Sequence, residues 1–286
     1  MSPARLLWTK RLAIAFCGCS MLGAATVLWM DGHLPASIPD PAAALDYRPF
    51  SQALQYVSPT GLVDYLALKK DRESLDRFVA SLASVTPLNR PELFPEPADQ
   101  LVFWLNAYHA LALQSALDDG APDLERLSRW SWAMRTWPIG GRRLSLFALE
   151  RRFLRDVGDP RVPFSLACGA KSCALLDGSP YQPDTLDAQL NDAVRRFMRD
   201  PKNVKIDGKA VHLSVLVERH HDEIIEALPP GSHGALQFVW AFLPDTCTER
   251  PGCDTRGDLD RACGPGLDGC KVDYLPFDWS LAARPR

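Results

Sequence analysis

The order of apolar and polar positions divides this chain of 286 residues into helical stretches, short extended pieces and turn-rich connections. Leu75, Phe78, Val79 and Leu82 recur at helical spacing and predict an amphipathic helix. Beyond the proline-rich loop from Pro87 to Pro97, Asp99 can cap a second helix. Leu101, Trp104, Leu105, Tyr108, Leu111 and Ala112 line one face of it, and Val102, Leu113, Ala116 and Leu117 fill much of the other. A helix apolar nearly all round belongs inside a core. Gly120 and Pro122 end it.

Trp130, Trp132 and Trp137, clustered with Arg129 and Arg135, then read as packing in a half-exposed strand, with a sugar-stacking surface as the alternative, and Gly140-Gly141 turns the chain. Ser145 caps a helix with Leu146, Leu149, Phe153 and Leu154 inward. Val162, Phe164, Leu166 and Cys168 alternate with Pro163, Ser165 and Ala167, bounded by Asp159-Pro160 and Gly169, which predicts a buried strand. Further on, Leu186, Leu190, Val194 and Phe197 share a helical face. Val204 to Leu213 reads as a hairpin turning at Asp207-Gly208. Ser214 opens a helix that stops at Pro229-Pro230, and a last apolar helix runs from Gly234 to Leu243. Together these elements predict an α+β fold: a mostly helical single domain over 50–286 with a small antiparallel sheet, following an N-terminal transmembrane helix.

That transmembrane helix is the run from Leu12 to Met30, nineteen uncharged and mostly apolar positions, long enough to cross a hydrocarbon core. Arg5, Lys10 and Arg11 precede it, so the positive-inside rule leaves the N-terminus in the cytoplasm and exports the rest. The expectation is a signal anchor at 1–31, a Pro/Ala-rich tether at 32–49, and a domain on the periplasmic side of a bacterial inner membrane. Gly23 and Ala25 also offer a small-residue pattern for cleavage, which is the alternative. Arg5, Lys10 and Arg11 are the only charges in the first thirty residues, so the remainder carries 29 basic against 35 acidic side chains. Nothing in this mildly acidic balance suggests nucleic acid, and no nucleic-acid partner is expected.

Export changes the reading of the cysteines. Cys17 and Cys19 fall in the anchor, and the other six, Cys168, Cys173, Cys247, Cys253, Cys263 and Cys270, would meet an oxidising compartment and could form three disulfides. The last four have the spacing C-x5-C-x9-C-x6-C, which lacks the close knuckle of a zinc site. With several Gly and Asp residues among them, they predict a disulfide-held surface insertion at 245–272. No metal and no cofactor is expected.

Two places hint at chemistry. Cys168 and Cys173 flank Gly169 and Lys171 in one tight connection, and a neighbouring lysine favours the thiolate. The same pair can equally be a disulfide or small core residues. Asn106 and His109 lie one turn apart on the buried helix and project from the same side. Buried polar groups need partners, so the two belong either to a structural network or to a site. His220 and His221 sit on adjacent faces of their helix and cannot both serve one site.

FWLNAYHAL (Phe103 to Leu111), DPRVPFSLACGAKSCALL (Asp159 to Leu176) and the closing YLPFDWSL resemble a bacterial and plant family catalogued as domain of unknown function 547. The likeness spans Phe50 to Leu281 apart from the cysteine-rich insertion. By this resemblance relatives carry Asn where this chain has His109, His where it has Pro163, and Pro where it has Ala174. If the family pairs a thiol with a histidine, as papain-like enzymes do, His109 would replace the base lost at Pro163. The family itself carries no established activity; the enzyme reading of these residues is an exported cysteine-dependent hydrolase or acyltransferase acting on peptide-like amides. Cys173 would be the nucleophile, with Cys168 as second choice, His109 the base and Asn106 its orienting group, while the Gly169 to Ser172 N–H groups would hold the oxyanion. The alternative is a non-catalytic module that binds an envelope protein or a cell-wall component.

Overall fold

The computed structural model describes residues 45–285 apart from 124, 233 and 249–251. The predicted anchor, and the tether up to residue 44, lie outside the described residues; among those described, no helix is long and apolar enough to cross a membrane. The chain enters with α1 (Arg48–Ala53), α2 (Tyr65–Lys70) and α3 (Glu73–Ser81). The helix at the centre is α4 (Pro97–Asp118). Asp99 acts at its start as expected, but as the reciprocal partner in a capping box whose N-cap is Glu96. Every residue from Leu101 to Leu117 is buried, as a helix without a polar face requires. At its other end Arg135 donates to the Ser115 carbonyl at 3.1 Å and pairs with Asp119 at 2.6 Å, placing a cation at the negative end of the helix.

Trp130 and Trp132 lie on a short helix, α5 (Arg129–Met134), and not on the predicted strand, because Ser128 accepts the Ser131 N–H and caps it. Trp137 does fall on a strand: β1 (Thr136–Ile139) and β2 (Arg142–Ser145) pair antiparallel across the Gly140-Gly141 turn. Ser145 caps α6 (Leu146–Leu149), which continues into a wide turn, Glu150–Leu154. After the central loop come α7 (Leu186–Met198), β3 (Val204–Asp207) and β4 (Ala210–Ser214). That hairpin turns at Gly208-Lys209, one residue later than predicted, because Asp207 still pairs with Ala210 and Gly208 takes the positive φ of 59°. Helices α8 (Val215–Arg219) and α9 (His221–Ala227) break at His220, and α10 (Ala235–Phe242) comes next.

The cysteine-rich stretch is more than a surface loop. It contributes α11 (Arg256–Cys263), with Leu259, Ala262 and Cys263 buried, and β5 (Lys271–Leu275), which pairs parallel to β4. The fold is α+β, as expected, but the sheet is not purely antiparallel: one sheet is a two-stranded ribbon and the other is three-stranded and mixed.

The largest departure is at Val162 to Cys168. No strand forms there; Val162–Phe164 is a single 3-10 turn and the rest is irregular. All seven residues are buried, so the alternation does not separate a wet face from a dry one. The apolar positions are instead shared between two cores. Val162, Leu166 and Cys168 pack into the cluster around α4, whereas Phe164 packs with Phe197, Phe238 and the apolar residues of the second half. A chain threaded between two cores buries its residues without strand neighbours, and Pro163 has no N–H to offer a sheet.

Candidate functional site

Where the loop has no sheet to satisfy its backbone, α4 supplies the partners. His109 Nε2 lies 3.1 Å from both the Ser165 carbonyl oxygen and the Ala167 nitrogen, so it accepts from Ala167 in one tautomer and donates to Ser165 in the other. Asn106 clips the chain again further on, donating to the Tyr181 carbonyl at 3.0 Å and accepting the Tyr181 N–H at 2.9 Å. Both side chains are buried, and burial pushes the His109 pKa down to about 4, leaving the ring neutral. The shared face of Asn106 and His109 is thus real, and its job in this structure is to hold the 165–181 backbone.

Cys168 and Cys173 are joined to each other as a disulfide. The sequence reading of a thiolate activated by Lys171 is corrected on this point: a sulfur in a disulfide does not ionise, and no hydrogen bond joins His109 to either sulfur among the described residues. The disulfide reading holds for the other four cysteines as well, which pair locally as Cys247–Cys253 and Cys263–Cys270. Gly169, inside the first ring, has φ +88° and backs onto Leu127 and Tyr65, where a Cβ would sit 3.2 and 3.5 Å from their atoms. The ring docks the C-terminal segment: Lys171 N donates to the Ser280 carbonyl at 2.9 Å, Asp278 N to Ser172 Oγ at 2.7 Å, and Ala282 N to the Gly169 carbonyl at 2.8 Å.

That docking builds a groove of about 420 Å³ with the disulfide in its wall. The C-terminal segment lends Phe277 and Trp279, whose ring centroids are 4.6 Å apart. From α5 come Trp130, Trp132 and Met134, and from α6 comes Phe147. Trp130 is 68 % exposed, an unusual state for so large an apolar side chain. Tyr108, Glu150 and His220, more buried than Trp130, line the same groove. Trp132 Nε1 donates to the Tyr108 hydroxyl at 3.2 Å, and that hydroxyl also meets Glu150. Burial raises the Glu150 carboxyl pKa despite the opposing pull of Arg219 and Arg155. His220 is 2 % exposed, its Nδ1 makes no hydrogen bond, and the Glu223 carboxylate stands 3.5 Å from it as an ionic neighbour. Burial also pushes its pKa down to about 4.

Residues 94–198 match the family model described as "Protein of unknown function, DUF547". This stretch belongs to that family. No curated protein and no solved structure matches the chain. The DUF547 segment runs from the loop before α4 to the end of α7 and so contains Asn106, His109, the Cys168–Cys173 ring, Tyr108 and Glu150. His220, Phe277 and Trp279 lie beyond it, so the DUF547 segment and the C-terminal third of the chain build the groove together.

Sequence reasoning placed Asn106, His109, Cys168 and Cys173 in one neighbourhood, and they do converge on one loop. It missed Glu150, His220 and the Phe277–Trp279 pair as members of a common surface. The aromatic density of YLPFDWSL was the available signal for the last; Glu150 sits in an arginine-rich run that gives no hint of burial. Among the described residues no group of three or more His, Cys, Asp or Glu side chains converges as a metal site.

Proposed function

We propose that this chain is a binding module of the cell envelope, tethered by its N-terminal apolar run and taking a cell-wall component in the aromatic groove. The observation that carries the reading is the groove itself, lined by the exposed Trp130 together with the more buried polar groups of Tyr108, Glu150 and His220. Convergent polar groups under apolar walls are the usual form of a ligand site. Three short-range disulfides support an oxidising compartment, which accords with export. Titrating the full chain with soluble peptidoglycan fragments while following tryptophan fluorescence tests this. Saturable quenching that is lost in Trp130→Ala supports the module; fragments that leave the spectrum unchanged refute it.

The thiol-dependent hydrolase or acyltransferase retains one supporting observation, that both sulfurs line the groove. It requires the ring to open and His109 to leave its loop. Turnover of a peptide-like amide after mild reduction, abolished by iodoacetamide, would establish it; binding unchanged in a Cys168→Ser, Cys173→Ser double variant with no turnover in either redox state would rule it out.

A further inference from the structure

The charge around the groove narrows the ligand, given the binding reading above. Arg129 rests 5.5 Å over the Trp279 ring and Arg219 5.7 Å over the Phe277 ring, and those two rings touch each other. Neither arginine forms an ion pair or hydrogen bond among the described residues, although both line the groove. Arg155, also in the lining, is occupied by Glu223. Glu150 is the acidic side chain among the lining residues, and its burial favours the protonated form. The opening therefore presents two cations held over aromatic faces, with Glu150 as the acidic side chain of the lining. An arginine stacked in this way keeps its N–H fork free for a planar carboxylate and loses little freedom on binding one.

The walls limit the choice further. A lipid chain would cover Glu150, Tyr108 and His220 with hydrocarbon and leave buried polar groups unmet, which is costly. A sugar ring has an apolar C–H face to lay on an exposed indole and hydroxyls at its edge to meet those polar groups. We propose that the groove recognises a carboxylate-bearing saccharide, with a sugar ring stacked on Trp130 and the carboxylate held by Arg129 and Arg219.

The test is calorimetry on the oxidised full chain with trigalacturonic acid, its neutral methyl ester and pentaglutamate as probes. The acid should bind on the order of tenfold more tightly than the ester. That advantage should shrink in Arg129→Gln and Arg219→Gln, both exposed and safe for folding, and should fall as sodium chloride rises from about 50 to 500 mM. Trp130→Ala should weaken acid and ester alike. Equal binding of acid and ester overturns the charge assignment, and pentaglutamate binding as well as the acid overturns the saccharide. Absence of saturable binding by the acid also overturns the inference; if peptidoglycan fragments still quench the tryptophans, the binding module survives that failure, and if they do not, both readings fall.

Discussion

Two histidines are buried in this chain to nearly the same degree, His109 at 4 % exposure and His220 at 2 %, and the same desolvation drives both toward the neutral form. Their partners differ. His109 sits against two backbone groups of the central loop. His220 sits at the break between α8 and α9 with a ring nitrogen that makes no hydrogen bond, Glu223 3.5 Å from it, beside the groove where tryptophans, arginines and Glu150 meet. A buried polar group that is fully used is a structural clip, whereas one left unsatisfied beside an opening marks the place to look for a ligand. His109, the more attractive catalytic residue from sequence, belongs to the first kind.

The largest test of this contrast makes the same substitution at both positions. His109→Leu leaves the Ala167 N–H and the Ser165 carbonyl buried without a partner, and should cost about 3 kcal/mol in urea unfolding. A loss below about 1 kcal/mol would mean the clip does not hold the loop.

Acid should expose the same difference. Between the unfolded pKa of 6.5 and the folded value of about 4, an unfolded His109 binds a proton that the folded ring refuses, so stability is full above the window and declines as pH falls through it. The whole effect is on the order of 3 kcal/mol. His109→Asn can accept from Ala167 and donate to Ser165 at once and does not titrate. Its unfolding free energy at pH 4.5 relative to pH 7 should therefore drop less than that of the parent; an equal drop would assign the acid sensitivity elsewhere.

Opening the ring comes next. Replacing both Cys168 and Cys173 by Ser frees a short loop and should cost about 2 kcal/mol by chain entropy. The lost order should extend to the docked C-terminal segment, seen as faster amide exchange at Leu281 and Ala282, whose N–H groups bond to Glu125 and Gly169. Protection unchanged at those amides would separate the disulfide from the groove wall. At the other extreme, His220→Leu removes no hydrogen bond and should change stability by less than about 1 kcal/mol. Trp130→Ala, on an exposed side chain, should stay within about 0.5 kcal/mol while changing ligand binding. A large loss of stability in either variant would make the groove lining part of the core and weaken it as a site.

Much of this architecture can be read from local pattern. The ends of α4 follow from Asp99 and Gly120, although Pro97, read as the end of the loop, is its first residue, and its burial follows from having no polar face. Ser145 and Ser214 cap the helices they were expected to cap, and the 204–214 hairpin forms with its turn one residue late. These features depend on interactions within a few residues, which composition and spacing encode directly.

Tertiary structure decided the rest. Whether Val162 to Cys168 became a strand depended on finding a sheet edge, and the chain instead lay between two cores, with His109 serving as its backbone partner from 56 residues away. Whether two cysteines five residues apart became a thiolate or a disulfide depended on how the ring closed against the C-terminal segment. The groove needed Tyr108, Glu150, His220 and Trp279 brought from four separate parts of the chain. Periodicity reports which side of an element is dry; it carries no information about which distant surface will dry it, or which polar groups will be left beside an opening when packing is complete.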